Sequence, residues 1–194
     1  ENFHKESLKQ LLDNSIDLRE DKTINYFCKP LSQRVLDKIE LKEQEPRFPF
    51  PEEREIQKEA YNAWLCNGRN GVFAMATGSG KTEASLLWMN GEKSFYTLPL
   101  KVSSNAIYLR IKENYEYKDV ALLHSDAMAV YLREYNGNED IGEKYERSKM
   151  LSQPLTVCTV DQLFRFVYRA LGTEIFAATL KYSKLVLDEI QAYE

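Results

Sequence analysis

A glycine-rich run that ends in lysine and threonine is the strongest chemical signal in the sequence. Residues 75–82 read Met-Ala-Thr-Gly-Ser-Gly-Lys-Thr, between an apolar stretch and a helix-like stretch. Gly78 and Gly80 allow the backbone to curl so that successive N–H groups point at phosphate oxygens, and a helix beginning near Lys81 adds its positive dipole end. The spacing and its context therefore predict a site for nucleotide phosphates.

Within this run, the lysine and the threonine have distinct predicted roles. We expect Lys81 to reach the β- and γ-phosphates of ATP and the Thr82 hydroxyl to ligate Mg²⁺. The residues predicted to contact the nucleotide are Thr77, Gly78, Ser79, Gly80, Lys81 and Thr82. The alternative interpretation is a glycine turn before a surface helix, which the apolar stretch before the run and the helical stretch after it disfavour.

Two adjacent carboxylates follow the apolar stretch 184–187. An ATPase needs two acidic groups with different tasks, so we expect Asp188 to hold Mg²⁺ and Glu189 to orient or deprotonate the attacking water. The predicted catalytic residues are thus Lys81, Asp188 and Glu189, and the predicted metal site combines Thr82 with Asp188. Glu189 favours hydrolysis over the alternative of phosphate transfer to a small acceptor by a nucleotide kinase.

These groups are positioned by a regular alternation of strands and helices. The predicted strands are 71–76, 94–98, 120–123, 155–160 and 184–187. The predicted helices are 52–66, 81–89, 103–115, 126–135 and 162–180, and 136–149 is predicted to be a charged loop. Because the strands are apolar on consecutive residues, we expect an α/β fold with a parallel sheet that carries helices on both faces.

A proline-rich joint at 46–51 divides the chain into two predicted parts. Residues 1–46 carry two helix-like segments, 7–16 and 31–41, and are predicted to form a short helical N-terminal segment. Residues 47–194 are predicted to be one α/β lobe. Because the chain starts without methionine, we expect it to be a segment of a longer protein.

Composition indicates an ordinary globular protein and argues against several classes. The chain is 43% hydrophobic and 29% charged with a net charge of −4, so nucleic-acid binding through bulk electrostatics is not expected. Its apolar runs are too short to span a membrane. The three cysteines are widely spaced, which fits reduced thiols in a cytoplasm better than disulfides or a zinc site. Cys158 lies in an apolar run and is predicted to be a core residue.

The glycine-rich run and residues 188–191 together resemble motifs I and II of superfamily 2 helicases. Further stretches resemble one family within it, the CRISPR-associated helicase-nuclease of type I systems. These stretches are 54–57, 98–101, 104–108 with Arg110, 122–125, 159–163 and 188–193. Two positions depart from that family's pattern, since Gln191 replaces a histidine and Lys101 replaces an arginine.

The resemblance implies a RecA-like fold of the P-loop NTPase type, of which this chain holds the first lobe, truncated just after motif II. It implies that Gln57 recognises adenine. The residues expected to contact a nucleic-acid strand are Lys101, Ser104, Asn105, Arg110, Thr159, Asp161 and Gln162. For Asp161 the alternative role is a helix N-cap, and for the helix after residue 100 the alternative is an ordinary solvated surface.

The activity implied by the resemblance is a single-stranded-DNA-stimulated ATPase that moves 3′ to 5′ in the cytoplasm of a prokaryote. Its expected partners are a CRISPR surveillance complex, a second RecA-like lobe and a nuclease domain outside this segment. Only His4 and His124 are present, too few for the metal nuclease of that family. We expect the segment alone to hydrolyse ATP poorly. The alternatives are another superfamily 2 motor (a restriction translocase or RNA helicase) or a non-catalytic nucleotide-binding module.

Overall fold

The structure is a computed structural model that describes residues 31–43, 70–72, 74, 78, 80–89, 92–134, 137, 140–167 and 176–193. The helices predicted at 7–16 and 52–66 and the proline-rich joint at 46–51 lie outside these residues. The division into an N-terminal segment and one lobe therefore stays a prediction.

Helices and strands alternate along the described part of the chain. The helices are α1 (Leu31–Glu43), α2 (Lys81–Met89), α3 (Lys101–Asn114), α4 (Ala127–Arg133), α5 (Ile141–Lys149), α6 (Val160–Val167) and α7 (Ala177–Lys181). The strands are β1 (Ser94–Leu98), β2 (Val120–Leu123), β3 (Leu155–Thr159) and β4 (Lys184–Leu187), and a short 3₁₀ helix (Ile190–Ala192) follows β4.

The four strands form a parallel sheet in the order β2-β3-β1-β4. β1 is therefore an inner strand, with Tyr96 opposite Val157 on β3 and opposite Val186 on β4. Since all four strands run the same way, their carboxyl ends lie along one edge of the sheet. The loops that follow the strands meet at that edge, where ligands bind in open α/β sheets.

Helices cover both faces of the sheet at β1, β2 and β3, whose side chains alternate between two buried clusters. On β4, Val186 packs against the first cluster, whereas Leu185 and Leu187 are exposed. One cluster contains Tyr96, Leu98, Val120, Leu122, Leu155 and Val157 with apolar residues of α1 to α4. The other contains Phe95, Leu123 and Cys158 with Leu163 of α6, and Phe176 and Leu180 pack against it. This arrangement confirms the predicted RecA-like α/β fold and the predicted core position of Cys158, which is a free, buried cysteine.

The segment predicted as a charged loop contains a helix, so that prediction is wrong. α5 begins after Asp140, whose carboxylate accepts a hydrogen bond from the backbone N–H of Glu143 at 3.1 Å. Arg147 then pairs with Glu143 one turn earlier, at 2.6 Å. Ile141 and Tyr145 pack against the first cluster. A cap, ion pairs along one face and two core contacts stabilise a helix whose composition suggests a solvated loop.

Two other elements differ from their predictions. The helical stretch predicted at 162–180 is described as α6 and α7, and α6 begins directly after β3. In the strand predicted at 71–76, the described residues Gly71, Val72 and Ala74 have no strand conformation. An apolar run becomes a strand only through hydrogen bonds to a neighbouring strand, which the run itself does not encode. Among the described residues, no helix is both long and apolar enough to cross a membrane.

Candidate functional site

Gly78 and Gly80, which precede α2, adopt a backbone conformation that favours glycine. Gly78 and Gly80 have φ values of +86° and +80°, in the region that residues with a Cβ rarely adopt. The Gly80 carbonyl then accepts the N–H of Ala84 at 3.0 Å, which begins the hydrogen-bonding pattern of α2. Lys81 and Thr82 therefore lie in the first turn of that helix. Thr77, Ser79 and Gln57 are outside the described residues.

A buried tyrosine hydroxyl binds the carboxylate at the end of β4. Tyr96 has no solvent-exposed surface, and its hydroxyl donates to Oδ2 of Asp188 at 2.6 Å. Thr82, in the first turn of α2, acts on the electrostatics of the same phenol. Near the other end of α2, the Trp88 carbonyl accepts a hydrogen bond from Lys184 at the start of β4, at 2.9 Å. Helix α2 therefore lies alongside β4, and its first turn lies toward the edge of the sheet where Asp188 follows that strand.

Asp188 is held in place by backbone and side-chain hydrogen bonds. Its N–H donates to the Thr97 carbonyl at 3.0 Å, which continues the β1–β4 pairing beyond Leu187. Its Oδ1 accepts the N–H of Glu189 at 2.9 Å. Since Oδ2 is bonded to Tyr96, both carboxylate oxygens have a fixed direction.

Glu189 has an unusual backbone conformation beside this carboxylate. Its φ is +54°, in the left-handed region, and its side chain is exposed. A residue with a Cβ adopts this conformation at a cost of about 1–2 kcal/mol, and such strain is concentrated at functional sites. The change of direction turns the chain sharply between the two carboxylates and into the short 3₁₀ helix.

The oxygen atoms at this edge fit a magnesium ion shared with phosphates. Mg²⁺ is commonly bound by one or two carboxylates together with substrate phosphates and water, without a cage made only of protein groups. Asp188 offers a half-buried carboxylate, and Thr82 offers a half-buried hydroxyl. Within the described ranges no cluster of three or more histidine, cysteine or acidic side chains could hold a metal by itself.

The residue after Thr82 connects α2 to α3. Glu83 forms an ion pair with Arg110, and its Oε1 also accepts the Tyr115 hydroxyl at 2.7 Å. Burial, followed by the charge of Glu83, raises the pKa of Tyr115, so this hydroxyl remains a donor. Arg110 was predicted to contact a nucleic-acid strand. Its guanidinium is paired with Glu83 of α2, so the strand contact stays a prediction that this ion pair disfavours.

The beginning of α3 is held against the loop after β2. Lys101 Nζ lies 2.8 Å from Oδ2 of Asp126, and Asn105 Oδ1 lies 2.7 Å from Nε2 of His124. Nδ1 of His124 accepts the N–H of Asp126 at 3.1 Å, so this histidine carries its proton on Nε2 and donates to Asn105.

His124 is a buried residue with only 2% of its surface exposed. Desolvation lowers the pKa of its imidazole, whereas the charge of Asp126 acts in the opposite direction. Lys101 also lowers this pKa, and Asp161 raises it. His124 therefore acts as a neutral structural residue that orients Asn105.

The remaining predicted strand contacts divide into exposed and buried residues. Ser104 is fully buried and its hydroxyl donates to the Leu100 carbonyl at 3.0 Å, so the prediction of a direct strand contact is corrected. Thr159 is 5% exposed, and the same correction applies. Asp161 lies in the first turn of α6, where its Oδ2 accepts from the Gln162 amide at 2.6 Å. Because α6 begins at Val160, Asp161 is a first-turn residue and not the N-cap.

Comparison with known proteins gives the family. The DEAD/DEAH box helicase family matches residues 54–194. The chain belongs to this family. The CRISPR-associated nuclease/helicase Cas3 of Methanothermobacter thermautotrophicus is 33% identical over 129 residues, which are 63% of this chain and 16% of that protein. A protein described in the same terms from Methanocaldococcus jannaschii is 28% identical over 153 residues, 72% of this chain and 20% of that protein.

This helicase chain therefore spans a fifth or less of the length of these curated relatives. No solved structure matches it. The enzyme class predicted from the sequence, an ATP-dependent helicase, is confirmed at the level of the family, and the two relatives support the resemblance to CRISPR-associated helicase-nucleases. Family membership implies nucleotide binding.

Sequence reasoning missed two residues of this helicase site, Tyr96 and Glu83. A tyrosine in the middle of a strand that is otherwise buried needs a partner for its hydroxyl, and this need was the available signal for Tyr96. Glu83 follows the lysine and threonine directly, in the first turn of a helix where acidic residues are common. That placement has an ordinary explanation, so no sequence signal indicates its pairing with α3.

Proposed function

We propose that this chain is the nucleotide-binding lobe of a motor that hydrolyses ATP with Mg²⁺ to move along single-stranded DNA. The observation that carries the proposal is the hydrogen bond from Tyr96 to Asp188, at the edge of the sheet toward which the first turn of α2 lies. This arrangement supports a site in which the glycine-rich turn and the acidic pair act on one metal-bound triphosphate. The proposed lobe comprises residues 47–194, preceded by the helical segment 1–46.

In the proposed mechanism, Lys81 and the N–H groups of the turn bind and neutralise the β- and γ-phosphates. Thr82 and Asp188 would hold Mg²⁺, which neutralises charge that develops on the phosphate oxygens. The exposed carboxylate of Glu189 orients a water molecule toward the γ-phosphate and accepts its proton. Gln57 is proposed to recognise the adenine edge, and Thr77, Gly78, Ser79 and Gly80 to line the phosphates.

Nucleic-acid binding is proposed at the carboxyl edge of the sheet. Helix α3 begins after β1 with Lys101 and carries Asn105 in its second turn, and helix α6 begins after β3 and carries Gln162 in its first turn. These side chains offer polar groups at the ends of two strands. Lys101 is half-exposed in an ion pair with Asp126, and a phosphate of the strand would compete with that carboxylate. Because the chain is acidic, binding relies on these local groups and not on bulk charge.

The relatives suggest the biological setting. Both are described as CRISPR-associated nuclease/helicases. We therefore propose 3′-to-5′ movement, recruitment by a CRISPR surveillance complex, and cooperation with a second RecA-like lobe and a nuclease domain. The second lobe would complete the ATP site with an arginine that stabilises charge during phosphoryl transfer.

The proposal is tested by ATP hydrolysis in the full natural protein that contains this sequence, with and without single-stranded DNA. We expect hydrolysis that DNA stimulates. Lys81→Ala should abolish it, and Glu189→Gln should retain nucleotide binding while losing about 10²–10⁴-fold in rate. Stimulation by RNA alone would favour an RNA helicase. Phosphate transfer to a small acceptor, without stimulation by nucleic acid, would refute the motor and favour a nucleotide kinase.

A further inference from the structure

The hydroxyl of Tyr96 is placed where it can order the Asp188 carboxylate. Tyr96 lies on the inner strand β1, and none of its surface is exposed. Its ring belongs to the first core cluster, packed among apolar residues of the sheet and of α2. The rest of the side chain is therefore fixed by packing, and only the hydroxyl reaches the polar edge of the sheet.

The hydrogen bond of this hydroxyl has a defined direction. The phenolic O–H donates to Oδ2 of Asp188 at 2.6 Å, so the phenol is the donor and the carboxylate is the acceptor.

This direction matches what a metal ligand requires of its partner. A carboxylate that accepts hydrogen bonds on both oxygens, here from Tyr96 and from the Glu189 N–H at 2.9 Å, cannot rotate freely. Each oxygen still has a lone pair available for a metal ion. The phenol thereby orients the carboxylate proposed to hold Mg²⁺.

We infer that Tyr96 is a positioning residue for the metal site, through which the core of the sheet fixes the Asp188 carboxylate for Mg²⁺. This inference rests on the proposed function. Partners that orient metal ligands typically change metal affinity or activity by about 10–100-fold when they are removed. We therefore expect Tyr96→Phe to raise the Mg²⁺ concentration for half-maximal nucleotide binding by about 10-fold.

Tyr108 provides a matched control. It is also fully buried in the first cluster, and its hydroxyl also donates to a carboxylate, that of Glu134 at 3.0 Å. Tyr108→Phe removes the same chemical group from the same core, away from the metal ligands. Binding of a fluorescent ATP analogue is titrated against Mg²⁺ in the full natural protein, with each variant's melting temperature measured in parallel.

We call the Mg²⁺ concentration for half-maximal nucleotide binding the Mg²⁺ half-point. The inference predicts that Tyr96→Phe raises the Mg²⁺ half-point and that Tyr108→Phe leaves it unchanged. In EDTA, Tyr96→Phe should bind the nucleotide with the affinity of the parent protein. A Tyr96→Phe variant that melts earlier but keeps the parental Mg²⁺ half-point has lost only packing, and this would overturn the inference. The proposed function fails separately, if the parent protein shows no Mg²⁺-dependent nucleotide binding or if Lys81→Ala and Asp188→Asn both leave such binding unchanged.

A measurement on the unsubstituted protein gives a second test if Tyr96→Phe does not fold. Tyrosine labelled with ¹³C at the ring carbon that bears the hydroxyl reports on hydrogen bonding of each phenol. Adding Mg²⁺ and the ATP analogue should shift the Tyr96 signal, because a cation on Asp188 withdraws charge from the oxygen that accepts its proton. The Tyr108 signal should stay in place. An unmoved Tyr96 signal at saturating Mg²⁺ and nucleotide would contradict the inference.

Discussion

The ion pair between Glu83 and Arg110 gives a quantitative prediction about how α2 is attached to α3. The Glu83 side chain is 12% exposed and the Arg110 side chain is 39% exposed, and Glu83 also accepts the Tyr115 hydroxyl. Removing one partner of a fully buried pair costs about 3–5 kcal/mol, whereas exposed pairs contribute about 0–1 kcal/mol. This pair lies between these limits, and solvent screens its arginine.

We therefore expect Glu83→Gln and Arg110→Met each to lower the free energy of unfolding by about 1–2 kcal/mol. Tyr115→Phe should lower it by about 1 kcal/mol, the usual net contribution of one hydrogen bond. The double variant of Glu83 and Arg110 should lose less than the sum of the two single variants, because each single change already breaks the pair. We expect a coupling energy of about 1 kcal/mol.

The assay is urea unfolding followed by circular dichroism, without nucleotide, for the parent, both single variants and the double variant. Additive losses, within about 0.3–0.5 kcal/mol, would refute the pairing. A second measurement separates this structural role from strand binding. Arg110→Met should leave the salt dependence of DNA binding unchanged, whereas Lys101→Met should reduce the slope of log K against log salt by about 1. A reduced slope for Arg110→Met would restore that residue as a phosphate contact.

Three further predictions concern the fold around the site. Because burial lowers the pKa of His124, its neutral form stabilises the fold above pH 6.5. This contribution decreases as the pH falls below that value, by at most about 1.4 kcal/mol per pH unit. His124→Gln should therefore flatten that part of a curve of unfolding free energy against pH. Asp140→Ala should lower the free energy of unfolding by about 1 kcal/mol, as measured in urea, because α5 loses its cap. Cys158 is buried, and burial raises the pKa of its thiol. After treatment with a thiol reagent at pH 8, peptide mapping should find Cys158 unmodified in the folded protein and modified in urea. Labelling without urea would contradict its core position.

Periodicity and composition predict the elements that bury a large apolar surface. β1, β2, β4 and α2 have the bounds that the sequence indicates, because each is a short, largely apolar run between polar or turn residues. The sequence did not predict α5, because this helix is stabilised largely by polar interactions. Its cap at Asp140 and its ion pairs depend on geometry that exists only after the helix has formed.

The chemistry of single residues was predictable, but their partners were not. The sequence shows that Arg110 carries a charge on a helix, and it does not show that Glu83, 27 residues earlier, lies against it. Ser104 is typical of an exposed helix start, yet the first turn of α3 is packed so that this residue is buried. Strand order explains these errors. β1 pairs with β3 and β4, which are distant in sequence, and this order decides which side chains meet.

The same order explains why one turn of α2 connects two parts of the molecule. Thr82 acts on the electrostatics of Tyr96, which binds the carboxylate at the end of β4, while its neighbour Glu83 pairs with Arg110 on α3. α3 also carries Lys101 at the carboxyl edge of the sheet. A displacement of the first turn of α2 therefore changes hydrogen bonds on the proposed nucleotide side and ion pairs on the proposed strand side together. For this reason the unfolding cycle on Glu83 must be measured without nucleotide, because a bound triphosphate would hold that turn and conceal the loss of the pair.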